Sequence, residues 1–386
     1  MEIITGNEHD LMQLIEGAYQ RLDQTRDNLE RYVLIDYLYQ LHEAYRSMTG
    51  KKSYLNEKRA FRSNSQARKY TQYLDSLFFR LEDEFIKYKE YHHDLFDVML
   101  SVNDEALDGL EDTVFSNGYQ TMSKEEFCEY FFEFLREYGL EDMFDKFISG
   151  RKIFNRPLNE NEKYAGTVLH DPRKKRSSIM LCDFEYTVPY MLTLGHEFGH
   201  TFDLNKLNKK DSDAYMKYSY SSVYGETIAI VFEKLFYDFL FRKKYRLDDL
   251  KEIYAEFSFE GKNYVLDAYL LSLLDDKTIR NLKFDSVSDD EILGQVSSYF
   301  TRHDELLDHL DGRSLDTWKT PLYAYGDYFS TILKDSVHKE GLDSRLMRRF
   351  FEYRTKEFNP EDLEYHGFDM ETYQRVYKRD VSRLKK

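Results

Sequence analysis

Apolar residues recur at helical spacing through the first 150 residues of the chain. In two stretches they lie three or four positions apart, which places them on one face of a helix. They are Leu34, Leu38, Leu41 and Tyr45 in the first stretch, and Tyr70, Leu74, Leu77, Leu81, Phe85 and Tyr88 in the second. Ser123 precedes Glu126 by three residues, a spacing typical of a capped helix start. The pattern predicts a helical N-terminal part at residues 1–150.

The pattern changes between Gly150 and Gly166, where asparagine and proline are turn signals, and we predict a boundary there. The short apolar stretch SSIMLCDFEYT at 177–187 then predicts a strand. Helical spacing resumes after it and continues to the end of the sequence. We therefore expect a mainly α-helical fold with a small β-sheet, divided into residues 1–150 and 151–386.

The composition agrees with this fold class and excludes one class of partner. With 17 Gly and 5 Pro in 386 residues, the chain has few helix breakers. Its formal net charge of −16 would repel a phosphate backbone, so we expect no nucleic-acid partner. The same charge is compatible with basic peptides as ligands but does not require them.

Two cysteines, Cys128 and Cys182, are too few for a disulfide framework, which favours a reducing compartment. The first residues, MEIITGNEHD, lack the basic start and apolar core of a signal peptide. Nowhere are there 18 consecutive apolar residues. We expect a cytoplasmic protein with no membrane partner, and the pattern indicates no particular oligomeric state.

The segment MLTLGHEFGHTFDL, residues 191–204, carries the first candidate chemistry. In a helix His196 and His200 lie one turn apart on one face, where two imidazoles can bind one metal ion. A catalytic zinc has three protein ligands and one open position for water, whose pKa it lowers to about 7. Glu197 lies to the side of that face, where a carboxylate can accept the proton of such a water. The alternative is an amphipathic helix with one histidine in the core and one exposed.

A second apolar helical segment, SSVYGETIAIVFEKLF at 221–236, contains Glu226 and Glu233, two helical turns apart. Because their neighbours are mostly apolar, this face is expected to be buried, and a metal ion and a ligand imidazole would satisfy the two carboxylates. We predict that Glu226 is the third zinc ligand and that Glu233 orients a ligand histidine. The alternative is a pair of exposed glutamates on a surface helix.

The HEFGH motif, followed by ETxxxxxE, resembles the thimet oligopeptidase and oligoendopeptidase F family of zinc peptidases. Other segments are similar in the same order along residues 160–380. KYAGT (163–167) resembles the family's Lys-x-x-Gly-Ala segment, SSIMLCDF (177–184) its strand before the zinc helix, and FNPEDLEYHGFDM (358–370) its C-terminal helical segment. The resemblance implies a zincin-like (gluzincin) core with Zn²⁺ as cofactor and short peptides as substrates in a deep channel.

The resemblance also implies that the strand at 178–184 pairs with the substrate backbone. It further implies that tyrosines of a late segment donate hydrogen bonds to the oxyanion of the reaction. In TPLYAYGDYFSTIL, residues 320–333, Tyr325 and Tyr328 match two of them by spacing, with Tyr323 as a neighbour. The alternative for each is a place in the core, in a chain with 33 tyrosines.

The sequence departs from the family in two places. A histidine usual before these tyrosines has no counterpart at 310–322, since His303 and His309 lie further upstream. Asp203 stands where the family often has histidine, three residues after His200. Asp203 is either a partner of a ligand imidazole or an ordinary residue of the helix end.

The residues favour a zinc-dependent endopeptidase with Glu197 as general base, because a binding-only protein has no need of one. A catalytically weak zinc-binding homologue, acting as a peptide-binding or regulatory module, is the alternative that the missing histidine favours. A third possibility is a helical interaction protein with a chance motif. It conflicts with the positions of Glu226 and Glu233.

Overall fold

The structure is a computed structural model. It describes residues 2–110, 119–157, 165–171, 173–207, 212–282, 287, 289–296 and 319–385. Within these ranges the chain is mainly helical with one small sheet, as the sequence predicted.

Helices account for most of the described residues in both halves of the chain. In the N-terminal half they are α1 (Glu8–Gln24), α2 (Asn28–Thr49), α3 (Glu57–Ala60), α4 (Asn64–Lys87), α5 (Lys89–Leu107), α6 (Lys124–Glu137) and α7 (Glu141–Phe147). Further along the chain they are α8 (Val188–Lys206), α9 (Ser212–Ser221), α10 (Thr227–Arg242), α11 (Leu247–Leu273), α12 (Asp276–Leu282), α13 (Asp289–Val296), α14 (Lys319–Glu340), α15 (Arg345–Tyr353), α16 (Pro360–Tyr365) and α17 (Met370–Val381).

Local sequence explains where the predicted helices begin and which face they bury. The Ser123 side chain accepts a hydrogen bond from the Glu126 amide at 3.1 Å, which confirms the predicted cap of α6. The apolar row predicted for α2 is buried, and Tyr70, Leu77, Leu81 and Phe85 of α4 are buried too. The amphipathic pattern therefore identified the faces that these helices turn to the core.

The sheet has four strands in the order β1-β2-β4-β3. They are β1 (Ile4–Thr5), β2 (Ile148–Arg156), β3 (Gly166–Asp171) and β4 (Arg176–Cys182). The strand predicted at 177–187 is β4, which pairs in parallel with β2 and antiparallel with β3. Because both of its edges are occupied, β4 cannot pair with a substrate, and that expectation is wrong. The edge strand on this side of the sheet is β3.

The predicted boundary near residue 150 falls inside β2. The register of β2 against β4 shifts between Ile148 and Ile153, where Gly150 has a φ of +62° and Arg151 a φ of +56°. The turn signal at Gly150 is therefore a bulge within a strand. Buried apolar residues on both sides of it, from Ile3 to Val381, belong to one core cluster.

No described helix combines the length and the apolar character that a membrane span needs.

Candidate metal centre

Helix α8 carries His196, Glu197 and His200 and is buried on nearly all sides. Pro189 lies in its first turn, where a missing amide hydrogen has no cost. The helix packs against α10, β3 and β4, and the two histidines are among its few partly exposed residues. The apolar sequence before the motif therefore anchors the histidines in the interior.

A close crossing of α8 and α10 brings the third candidate ligand to the histidines. A Cβ atom added to Gly199 would lie 2.7 Å from the Cα of Ala229 and 2.9 Å from the carbonyl oxygen of Ile228. Only glycine permits this approach. Glu226 immediately precedes α10 and so lies beside the crossing.

The other side of Glu226 is covered by α14. A Cβ atom added to Gly326 would lie 2.7 Å from the Cδ1 of Ile230 and 3.0 Å from the Cβ of Glu226. Glu226 is therefore enclosed between two helices that each contribute a glycine at the contact.

His196, His200 and Glu226 converge on one point. Oε2 of Glu226 lies 3.3 Å from Nε2 of His196 and 3.3 Å from Nε2 of His200. One ligand atom from each residue lies within 4.8 Å of the others, and the two imidazole rings are nearly perpendicular. Three ligand atoms at these separations can surround a single ion.

The donor set fits zinc. Two imidazole nitrogens and one carboxylate oxygen are protein ligands that a catalytic zinc takes, and such a zinc keeps its fourth position for water. Oε2 of Glu226 is buried and has no aligned hydrogen-bond partner among the described residues, despite the two imidazoles close by. A buried carboxylate oxygen in this state is costly unless a cation satisfies it. The arrangement is therefore explained by a metal ion better than by hydrogen bonding.

The electrostatics of the centre also favour a cation. Burial would lower the pKa of His196, but the carboxylates of Glu226 and Glu233 raise it well above its ordinary value. Burial would raise the pKa of Glu226, but His200 and His196 hold it well below its usual range. The two carboxylates thus favour a positive charge at the imidazoles, and a bound metal ion would supply that charge.

Glu233 lies where the sequence predicted an acceptor for a ligand histidine. Its Oε2 is 3.0 Å from Nδ1 of His196. With the proton on Nδ1, the imidazole donates to Glu233 and directs the lone pair of Nε2 to the convergence point.

Glu197 lies between the centre and the edge strand β3. A Cβ atom added to Gly166 would lie 2.5 Å from Oε1 of Glu197, so any other residue there would force the carboxylate to move. Burial raises the pKa of Glu197, and Oε2 has no hydrogen-bond partner among the described residues. A carboxylate with a raised pKa and an unused oxygen has the properties of a general base.

Asp203 makes a contact that the sequence did not indicate. Its Oδ1 lies 3.0 Å from Nε of Arg354, and both side chains are buried. Burial raises the pKa of Asp203 to about 6, against the opposing effect of Arg354. No described hydrogen bond connects Asp203 to His200. Nothing in the sequence around Arg354 distinguishes it from the many surface charges.

The structure does not bring Tyr325 and Tyr328 to the centre. Both are 1 % exposed. The hydroxyl of Tyr325 contacts Nδ1 of the buried His92, and that of Tyr328 donates to the carbonyl oxygen of Phe368 at 2.9 Å. This geometry corrects the oxyanion role predicted for them, because their hydroxyls are engaged away from His196 and His200.

Tyr323 is the tyrosine of this segment that faces the centre. Its pKa is raised well above the ordinary value, first by the charge of Glu226 and then by burial, so the hydroxyl keeps its proton. Its ring stacks on Tyr264 of α11 with a centroid separation of 4.5 Å. The upstream His303 and His309 lie outside the described residues, as do Lys163 and Tyr164.

A cavity of about 1120 Å³ opens onto the centre. Its wall includes His196, Glu197 and Glu233 from the metal centre and Gly166 and Thr167 from β3. Helix α2 contributes Gln40 and Ala44, and the wall also includes Tyr264 and Tyr323. Neither Tyr325 nor Tyr328 lines this cavity.

Comparisons with known proteins give one structural match. No protein-family model and no curated protein sequence matches this chain. Among solved structures, the crystal structure of a "putative peptidase" from Chlamydophila abortus matches with a TM-score of 0.46 and 12 % sequence identity. The match covers 97 % of this chain and 63 % of that one, so the chain spans less than two thirds of the length of that protein.

Proposed function

We propose that this protein is a zinc-dependent endopeptidase that hydrolyses short unstructured peptides. The observation that carries the proposal is the convergence of His196, His200 and Glu226 around a buried carboxylate oxygen that has no aligned hydrogen-bond partner among the described residues. Glu197 lies beside these three residues, in the wall of an open cavity. Among metal-binding arrangements, this set of ligands with an adjacent carboxylate is typical of zinc peptidases.

Each residue has a role in this proposal that its surroundings support. Zinc bound at the centre would polarise the scissile carbonyl and acidify water. Glu197 would accept the proton of the attacking water and return it to the leaving amine. The hydroxyl of Tyr323 would donate a hydrogen bond to the carbonyl oxygen as negative charge develops there. Glu233 would fix the orientation of His196.

The substrate would lie along β3. This strand is at the edge of the sheet, and Gly166 and Thr167 line the cavity, so the backbone of an extended peptide could pair with it. Helices α2 and α11 flank the same cavity. A folded protein would not present an extended segment to a site between these walls.

The proposal is tested by hydrolysis of a quenched-peptide library and of a stable folded protein. We expect the zinc-loaded wild type to cleave the peptides and to leave the folded protein intact. Glu197→Gln should keep zinc and lose about 10²- to 10⁴-fold in rate, because the amide cannot accept the proton. Glu129→Gln, an exposed substitution on α6, is the matched control. Loss of zinc from Glu197→Gln, or unchanged hydrolysis, would contradict the role of Glu197.

A second candidate is a catalytically weak zinc protein that binds peptides. The positions of Tyr325 and Tyr328 favour it, because two donors expected from the family resemblance are engaged elsewhere. The two functions differ in turnover, since a binding module would retain peptides without producing new termini. Mass spectrometry of the bound peptides distinguishes them.

A further inference from the structure

Arg354, which follows α15, is buried although it carries a charge. Its side chain is 3 % exposed, and its Nε lies 3.0 Å from Oδ1 of Asp203, whose side chain is 2 % exposed. Neither Asp203 oxygen has an aligned hydrogen-bond partner among the described residues, so the contact is an ion pair. Removing one member would leave an uncompensated charge in the interior.

The ion pair attaches Arg354 to the helix of the metal-binding histidines. Asp203 follows His200 by three residues on α8, less than one helical turn away. A displacement of this part of α8 would therefore move the imidazole of His200.

The backbone of Arg354 contacts the segment that carries Glu226. Its carbonyl oxygen accepts a hydrogen bond from the hydroxyl of Ser222 at 3.1 Å. The same Ser222 oxygen accepts a hydrogen bond from the amide of Tyr224 at 3.2 Å. Tyr224 in turn accepts a backbone hydrogen bond from Thr227, the first residue of α10. The turn that presents Glu226 is thus bonded to Arg354.

The guanidinium itself is held in place by its own segment. Nη1 donates to the carbonyl oxygen of Phe351 at 2.6 Å. The group also lies over the rings of Phe351 and Tyr218, at 4.7 and 5.7 Å from their centroids. These contacts hold the charged guanidinium of Arg354 in one position.

We infer that Arg354 is a positioning residue of the metal centre, which sets the distance between the segments of His200 and Glu226. Its side chain contacts α8, and its backbone contacts the turn before α10. Metal ligands must be held within about 0.5 Å of their productive geometry, so residues that support them contribute to affinity. The inference rests on the proposed zinc site.

The test measures the zinc Kd by chelator competition and the Tm of the metal-free protein. Arg354→Met keeps the aliphatic stem and removes the charge, whereas Asp203→Asn is nearly isosteric. Both should weaken zinc binding roughly 10- to 100-fold, the usual effect of losing a supporting residue. Ser222→Ala removes the backbone contact and should weaken binding in the same direction. Arg354→Lys keeps the charge and should lose less zinc affinity than Arg354→Met.

Lys334→Met is the matched control. Lys334 is a buried cation, 1 % exposed and 2.5 Å from Asp380, and its ion pairs within the described part of the chain involve no predicted zinc ligand. The Lys334→Met substitution should lower Tm without changing the zinc Kd. If this control weakens zinc binding as much as Arg354→Met does, general destabilisation explains the effect and the inference is overturned.

Two further outcomes separate the inference from the proposed function. If the wild type binds zinc and both Asp203→Asn and Ser222→Ala bind it equally tightly, the positioning role is wrong and the proposed function stands. If the wild type binds no zinc, both are wrong. Should Arg354→Met fail to fold, Asp203→Asn and Ser222→Ala decide the matter.

Discussion

The tyrosines of α14 show how neighbouring residues of one type acquire different roles. Tyr323 and Gly326 are three residues apart and share the helix face that approaches Glu226. Tyr325 and Tyr328 are also three apart and share another face, where their hydroxyls bond to His92 and to Phe368. Only the first face is directed to the cavity.

Phenylalanine substitutions distinguish these roles. Tyr323→Phe should lower kcat about a hundredfold with little change in KM, because the hydroxyl acts only when charge develops on the carbonyl oxygen. Tyr328→Phe should leave kcat unchanged and lower Tm, because the Phe368 carbonyl loses its buried donor at a cost of about 1–3 kcal/mol. Tyr325→Phe should behave like Tyr328→Phe. Kinetics and thermal unfolding of the three variants are the measurements.

A fall in kcat for Tyr325→Phe or Tyr328→Phe with a normal Tyr323→Phe would contradict this assignment. It would restore the role that the sequence suggested.

The candidate ligands could be identified from sequence because their spacing alone constrains their geometry. His196 and His200 must share a face in any helix, and so must Glu226 and Glu233 in a helix two turns long. The choice among the tyrosines depends on which face of α14 meets Glu226, and spacing does not contain that information. Arg354 lies about 150 residues beyond His200, and its contact with Asp203 arises only from the fold.

At the scale of helices, the proposed metal centre depends on how closely α8 and α10 cross. Gly199 determines that distance, since a methyl group there would overlap Ala229 and Ile228. The sequence indicates both helices but not their separation. Glycine at this position is the local feature that brings the segments of the predicted ligands together.

Gly199→Ala should therefore destabilise the protein by about 1–3 kcal/mol and weaken zinc binding, because the helices must separate. Gly17→Ala is the matched control, since Gly17 lies within α1 and a Cβ atom there has no neighbour within 4 Å. The control should gain up to about 1 kcal/mol from reduced chain entropy. Urea unfolding and chelator competition on both variants provide the comparison. Equal stability and equal zinc affinity of the two variants would show that the close crossing of α8 and α10 does not matter for the site.

At the scale of the whole molecule, buried histidines in different regions make stability depend on pH. His92 on α5 and His170 on β3 are 1 % and 2 % exposed, and burial lowers the pKa of each to about 3. An unfolded histidine has a pKa of about 6.5. Between these values the unfolded chain binds protons that the folded chain does not.

Stability should consequently fall as pH decreases from about 6.5 towards 3, by up to about 1.4 kcal/mol per pH unit for each histidine. The contribution is fully present above pH 6.5. His92→Gln should show a shallower dependence than the wild type, although it is less stable at pH 7. Urea unfolding at several pH values measures both slopes. Identical slopes would show that folding does not lower the pKa of His92.

The fold class, the strand β4 and the helix faces followed from periodicity, because these are local consequences of the sequence. The order of the strands did not, since β4 lies between β2 and β3 through contacts distant along the chain. The expectation that β4 would bind substrate failed for that reason. The division into residues 1–150 and 151–386 remains a prediction. Both parts contribute residues to the wall of the same cavity.

Zinc content per chain is the most direct test of the central claim, that His196, His200 and Glu226 form one metal site. Elemental analysis of the purified wild type should find about one zinc per chain, and His9→Ala, an exposed substitution on α1, should match it. His196→Ala and Glu226→Ala should each lose most of the metal, because a zinc ion with two protein ligands is weakly held. Full occupancy in either of these two variants, or no zinc in the wild type, would contradict the account.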